Sequence, residues 1–175
     1  PQVYFTVRDT YQKAISFYKD KFQKIPQNAD LSQPFKWERP QRVFFPMMGL
    51  SVKNNSNQEI QQALLNTSFD DFVSLLASCY QLDEHIHPQH WILNNPNYFM
   101  LKDLGIKPQR LSIYKMDRPE EMETFAGATG FDFAQRANST GKIKTPQTIS
   151  SQSLDCLNQI YQRDFAAFGY EMRQS

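Results

Sequence analysis

Arg8 closes a short apolar run, Val3-Tyr4-Phe5-Thr6-Val7, and Ser16 follows within a helical pattern. An arginine where a strand gives way to a helix suits an anion. The first helical amides lack intrahelical acceptors, and the helix dipole favours negative charge there. The guanidinium adds a planar fork of donors matched to phosphate. The plainer alternative is a surface arginine in an ion pair beside a solvated serine. A second group of reactive side chains lies in Asp83-Glu84-His85-Ile86-His87-Pro88-Gln89-His90-Trp91, which holds all three histidines of the chain. Histidine suits proton transfer near neutral pH and is also a common metal ligand. No second acidic or cysteine cluster accompanies these three, and Pro88 interrupts regular structure, so no metal site is assigned. What remains is a solvated turn, or a histidine that holds or deprotonates a substrate hydroxyl.

Elements must position these residues. Residues 2–8 read as a buried strand, with β-branched and aromatic side chains and no helical period. Asp9 or Thr10 can cap the helix that follows. Tyr11, Ala14, Ile15, Tyr18 and Phe22 then recur at helical spacing, an amphipathic stripe to about Lys24. Segment 25–50 carries Pro26, Pro34, Pro40 and Pro46 and reads as a long irregular excursion. Its Lys36, Trp37, Arg39 and Arg42 suggest either a surface-packed loop anchored by Phe35 and Trp37 or a lip for a polyanion or sugar.

Gln58 to Leu65 predicts a short helix. Ser68 with Asp71 opens another, running to about Tyr80. Leu111 to Met116 predicts a second buried strand. Pro119 then opens a helix that ends at Gly127 or Gly130. A polar loop runs from Gln135 to Ser150. The last helix starts at Ser150 or Ser151, is striped by Leu154, Leu157, Ile160, Tyr161, Phe165 and Phe168, and ends at Gly169. Strands alternating with helices predict an α/β layer fold, a parallel sheet flanked by helices. Two strands are few for such a sheet, so further strands are expected in the irregular regions or ahead of Pro1.

With 175 residues the chain suffices for one domain, 1–175, with a real core. A net charge of +1 speaks against a strongly basic nucleic-acid protein, and no apolar run approaches the length of a membrane span. Cys79 and Cys156, the only cysteines, read as two buried free thiols.

Four segments, in order, resemble one family. Val7-Arg8-Asp9-Thr10-Tyr11 with Ser16, Tyr18 and Phe22 is similar to the VRDPYxRxxSxYxxKF segment of membrane-type and bacterial carbohydrate sulfotransferases. Thr10 stands where that family has proline, and Lys13 where it has arginine. Asp83-x-His85-x-x-Pro88-Gln89 resembles its DxHWxPQ motif, with Ile86 in place of tryptophan. Asn138-Ser139 resembles its NxS loop, and Ile160 to Tyr170 its closing IYxxDFxxFGY.

The resemblance implies a P-loop-kinase-like sulfotransferase fold. It also implies transfer of a sulfuryl group from 3′-phosphoadenosine 5′-phosphosulfate (PAPS), leaving 3′-phosphoadenosine 5′-phosphate (PAP). The partner would be a hydroxyl-bearing acceptor, a glycan or small alcohol. By the same resemblance Arg8 and Ser16 bind the nucleotide 3′-phosphate, and Ser139 packs by the nucleotide. His85 is the catalytic candidate. Lys142 or Lys144 adds charge near Ser139, without a motif match of its own. Localisation would be cytoplasmic for a bacterial chain and the Golgi lumen for a eukaryotic one. The family's phosphosulfate loop would precede Pro1, which makes this chain N-terminally incomplete and poor at sulfuryl transfer as given. Two other functions compete. One is a non-catalytic nucleotide- or glycan-binding domain. The other, disfavoured for want of an acidic Mg²⁺-binding strand end, is a kinase.

Overall fold

The computed structural model describes residues 2–94, 111–131 and 148–174. Strand β1 (Val3–Val7) pairs in parallel with β2 (Leu111–Lys115), Val3 opposite Leu111 and Val7 opposite Lys115. The ladder continues one step beyond the strands, where Met116 N–H donates to the Val7 carbonyl at 2.7 Å. No other strand occurs among the described residues, so the additional strands expected from the pattern are not found there. Parallel strands are usually hidden on both faces. Here every strand residue is half-buried except Val7, at the end that leads into the site.

Helix α1 (Thr10–Tyr18) starts at Asp9, whose side chain accepts from Gln12 N–H. It runs directly into a π-helical turn, Lys19–Lys24, and then α2 (Ile25–Gln27), so helical structure passes the expected end at Lys24. Chemistry explains how Pro26 is accommodated. In the π register Ile25 N–H donates to the Asp20 carbonyl, and the next residue would donate to Lys21. Proline has no N–H to give. The buried Gln41 supplies the missing donor, its Nε2 reaching the Lys21 carbonyl at 2.9 Å.

Gln41 belongs to α3 (Arg39–Arg42), followed by a 3-10 turn, Phe45–Met48. The proline-rich excursion is therefore largely packed structure. Trp37 is buried, and its indole N–H donates to Asn57 Oδ1 at 2.8 Å. Lys36, Arg39 and Arg42 remain exposed.

Helices α4 (Asn57–Asn66) and α5 (Phe69–Cys79) each begin with a reciprocal capping box, Ser56 with Glu59 and Ser68 with Asp71. A short helix, α6 (Trp91–Asn94), was not anticipated from the sequence. Helix α7 (Pro119–Thr129) ends at Gly130, and α8 (Ser151–Phe168) ends at Gly169. Both glycines take a left-handed conformation, φ +72° and +62°, which other residues rarely adopt.

The core is aromatic. Phe17, Tyr18, Phe22, Phe44, Phe69 and Phe72 meet with ring centroids 5.0 to 5.9 Å apart, joining α1, the π turn, the 35–48 segment and α5. α8 closes this body, with Phe165 against Tyr11. The sheet lies beside it, one face covered by α7 through Tyr4, Tyr114 and Phe125. Cys79 and Cys156 are both free, and burial pushes the Cys79 thiol up to about 12.

Candidate functional site

The segment 83–90 joins α5 to α6 and passes the end of β1. Its second half is nailed to α8. Asp164, fully buried, accepts three hydrogen bonds: from Gln89 N–H at 2.7 Å to one oxygen, and from His90 N–H and the His90 ring Nδ1, at 2.8 and 2.6 Å, to the other. Tyr161, buried at the kink of α8 (φ −111°, ψ 17°), donates its hydroxyl to the Ile86 carbonyl at 2.8 Å. Burial far from water pushes the Tyr161 phenol well above its usual range, so it stays a neutral donor. From α1, Lys13 Nζ donates to the His87 carbonyl. Desolvation holds the Lys13 amine down at about 8; Asp164 opposes the shift and Arg8 adds to it.

The first half of the segment is built differently. Asp83 is buried, and one of its oxygens accepts from the His85 backbone N–H at 3.0 Å and lies 2.7 Å from His85 Nδ1. Its other oxygen pairs with Arg39 Nε at 3.7 Å, while Arg39 also donates to the Leu82 carbonyl. A carboxylate only accepts, so Nδ1 carries a proton, and in the neutral tautomer that this bond selects Nε2 is the nitrogen with the free lone pair. The His85 side chain is 52% exposed, against 8% for His90. His87, the third histidine, lies against the Trp91 ring.

Arg8 stands where these parts meet. Gln89 accepts from the Arg8 backbone N–H through Oε1 at 3.1 Å and donates through Nε2 to the Arg8 carbonyl at 2.8 Å. The Arg8 guanidinium lies against Met116 Sδ at 3.7 Å and makes no ion pair among the described residues. The adjacent Asp9 caps α1, so the helix end is not an open row of amides as the sequence suggested; one amide is already taken by a carboxylate. Thr10 Oγ1, at the first position of α1, is buried with no hydrogen-bond partner among the described residues.

Of the residues named from the sequence, Arg8 is thus placed on the 83–90 segment through Gln89. Ser16 is half-buried two turns along α1, on the face it shares with Lys13, and no hydrogen bond joins it to Arg8. His85 sits at the far end of the same segment, without a hydrogen bond or ion pair to Arg8 among the described residues. Ser139 and Lys142, like Asn138 and Lys144, lie outside the described residues. Sequence reasoning assigned no role to Gln89, Asp164 or Lys13. A signal was present for all three, since Lys13, Gln89 and Asp164 each fall inside quoted motifs, and an aspartate on the striped face of a helix asks for a buried partner.

Among the described residues, no group of three or more histidine, cysteine, aspartate and glutamate side chains converges as a metal ion would need. No helix there is long and apolar enough to cross a membrane. A family model described as "Sulfotransferase family" matches residues 3–171. None of the curated proteins and none of the solved structures compared with the chain gives a match. With nearly its whole length matched, the chain belongs to the sulfotransferase family.

Proposed function

We propose that this sulfotransferase-family chain moves a sulfuryl group from PAPS to the hydroxyl of an acceptor, a glycan or other alcohol, with Arg8 as the principal contact to the nucleotide 3′-phosphate. The observation that carries the reading is the state of Arg8. Its backbone is pinned, its charge is uncompensated by any carboxylate among the described residues, and it lies at a strand–helix junction. An arginine so held offers charge-assisted, bidentate hydrogen bonds to phosphate. Ser16, on the Lys13 face of α1, is the second contact in this proposal. Reaching it requires the Arg8 side chain to leave Met116 and lie along the helix, since Thr10 to Ser16 rises by about 9 Å. The 3′-phosphate would supply the attraction for that movement. Ser139 and Lys142 complete the proposed nucleotide contacts.

His85 is proposed to take the acceptor proton. Asp83 orients its ring and holds the tautomer in which Nε2 is basic, the arrangement an activated general base requires. The acceptor oxygen forms its bond to sulfur as the bond from sulfur to the PAP phosphate oxygen breaks. The electron pair leaves with PAP, and the hydroxyl proton passes to His85 Nε2. Exposed Arg39 and Lys36 lie on the segment tied to Asp83, a placement suited to the acceptor side.

Calorimetry with PAP and AMP tests the assignment of Arg8. Charge-assisted hydrogen bonds contribute about 1.5–3 kcal/mol, so Arg8→Ala should weaken PAP about tenfold or more. AMP lacks the 3′-phosphate and should bind as before. Equal losses for the two nucleotides would remove the assignment.

A further inference from the structure

Gln89 does for Arg8 what a neighbouring strand would do. Along a strand, the N–H and C=O of one residue point to the same edge, and those of the next residue to the opposite edge. The Val7 carbonyl is taken by Met116 on the β2 side. The Arg8 N–H and C=O therefore face the other edge, and the Gln89 carboxamide takes both, at 3.1 and 2.8 Å. A single side chain thus completes the ladder for one residue, on the edge of β1 away from β2.

Gln89 is itself not free to drift. Its backbone N–H donates to Asp164 at 2.7 Å, and the residue after it is bound to the same carboxylate twice more. The Lys13 amine holds the His87 carbonyl two residues before. Arg8 is left with its side-chain torsions as its main freedom, because its backbone N–H and C=O are both held by Gln89. The direction in which the guanidinium leaves the strand is set by that backbone.

We infer that Gln89 is the positioning residue for Arg8: anchored by Asp164, it fixes the Arg8 backbone and so confers preference for a nucleotide bearing a 3′-phosphate. This rests on the proposal that Arg8 binds that phosphate. Gln89 acts entirely through Arg8 and touches no part of the nucleotide.

The test is a double-mutant cycle read by calorimetry with PAP and AMP. Gln89→Met keeps the side-chain length and removes both bonds to Arg8. It should weaken PAP about fivefold while AMP stays within about twofold, and it should add nothing in an Arg8→Ala background, because a residue acting through Arg8 has nothing left to position. Equal losses for PAP and AMP, or a further loss of PAP in the Arg8→Ala background, would overturn the inference. If Gln89→Met does not fold, Gln89→Glu keeps the acceptor for the Arg8 N–H and loses the donor to its carbonyl. It should produce a smaller PAP-selective loss, again absent in the Arg8→Ala background. A loss that persists there would mean simple repulsion of phosphate by the new carboxylate and would equally overturn the inference. The underlying reading fails separately: Arg8→Ala alone would then leave the preference for PAP over AMP intact.

Discussion

The 83–90 segment carries two histidine–aspartate pairs with nearly the same local geometry, Nδ1 to oxygen at 2.7 Å in His85–Asp83 and 2.6 Å in His90–Asp164. Their surroundings differ. Asp83 lies two residues from its histidine, and the His85 ring is half exposed. Asp164 comes from α8, more than seventy residues away in sequence, and both members of its pair are buried. One pair presents a basic nitrogen to whatever approaches. The other ties a helix to a turn and, through Gln89, to the end of β1. The same hydrogen-bond chemistry leaves one ring open to solvent and makes the other a buried strut, and burial is what separates them.

The sharpest way to break this contrast is to remove the two aspartates in turn. Asp164→Ala leaves two backbone amides and an imidazole without their acceptor in a buried site. Unfolding by denaturant should show a loss of about 3 kcal/mol or more. Asp83→Ala leaves an exposed ring to water and should lose distinctly less. A loss under about 1 kcal/mol for Asp164→Ala would mean that the buried pair is not a strut.

Turnover separates the two histidines. With PAPS and a panel of sugar and alcohol acceptors, His85→Ala should lower kcat about a hundredfold, the scale of a general base, with the unfolding curve unchanged. His90→Ala should instead shift the unfolding curve. Full turnover in His85→Ala would place the base elsewhere.

Arg39→Ala probes the exposed pair more gently. Arg39 is 72% exposed and meets Asp83 at 3.7 Å. Surface ion pairs contribute about 0–1 kcal/mol, so stability should barely move. A few-fold fall in kcat at unchanged stability would show that Arg39 helps hold Asp83 under His85; unchanged kcat would confine it to the surface.

At neutral pH the smallest effect belongs to Lys13, and it grows only as the pH is raised. The Lys13 amine, lowered to about 8, sits beside the buried pair. The folded protein releases this proton near pH 8, whereas the unfolded chain holds it to about 10.4. Between those values the unfolded state binds more protons, so this group makes stability rise with pH through that window. Lys13→Met should flatten the rise. A Lys13 titration midpoint above 10 by NMR would contradict the desolvated placement.

Much of the architecture was legible along the chain because it is set by local chemistry. The capping box at Ser68, the strand 111–115 and the stop at Gly169 each follow from residues close to one another, and the choice between Gly127 and Gly130 falls to Gly130. The π turn was not legible. Its stability depends on Gln41 reaching back to Lys21, twenty residues away, and no local spacing announces that bond. Reading 25–50 as a loop missed the same packing, since prolines mark breaks in regular structure and not whether the pieces between them are buried.

Residue order alone carried both strands, the four longer helices after α1, the family, and the residue types at hand: an arginine at a strand end, a histidine two residues from an aspartate, a polar pair inside the closing motif. What surrounds each of them came from the packing of the whole chain. The motif match singles out His85 over His90, but no spacing along the chain shows that the His85 ring stays open to water while the His90 ring is shut away from it. Nothing local joins Gln89 to Arg8 or to Asp164, because those bonds span 81 and 75 residues and exist only once α8 has packed against α1 and the 83–90 segment. Short-range order follows from torsions and capping, which neighbouring residues control. Burial and long-range hydrogen bonding follow from how whole elements pack, and at this site they set each residue's surroundings.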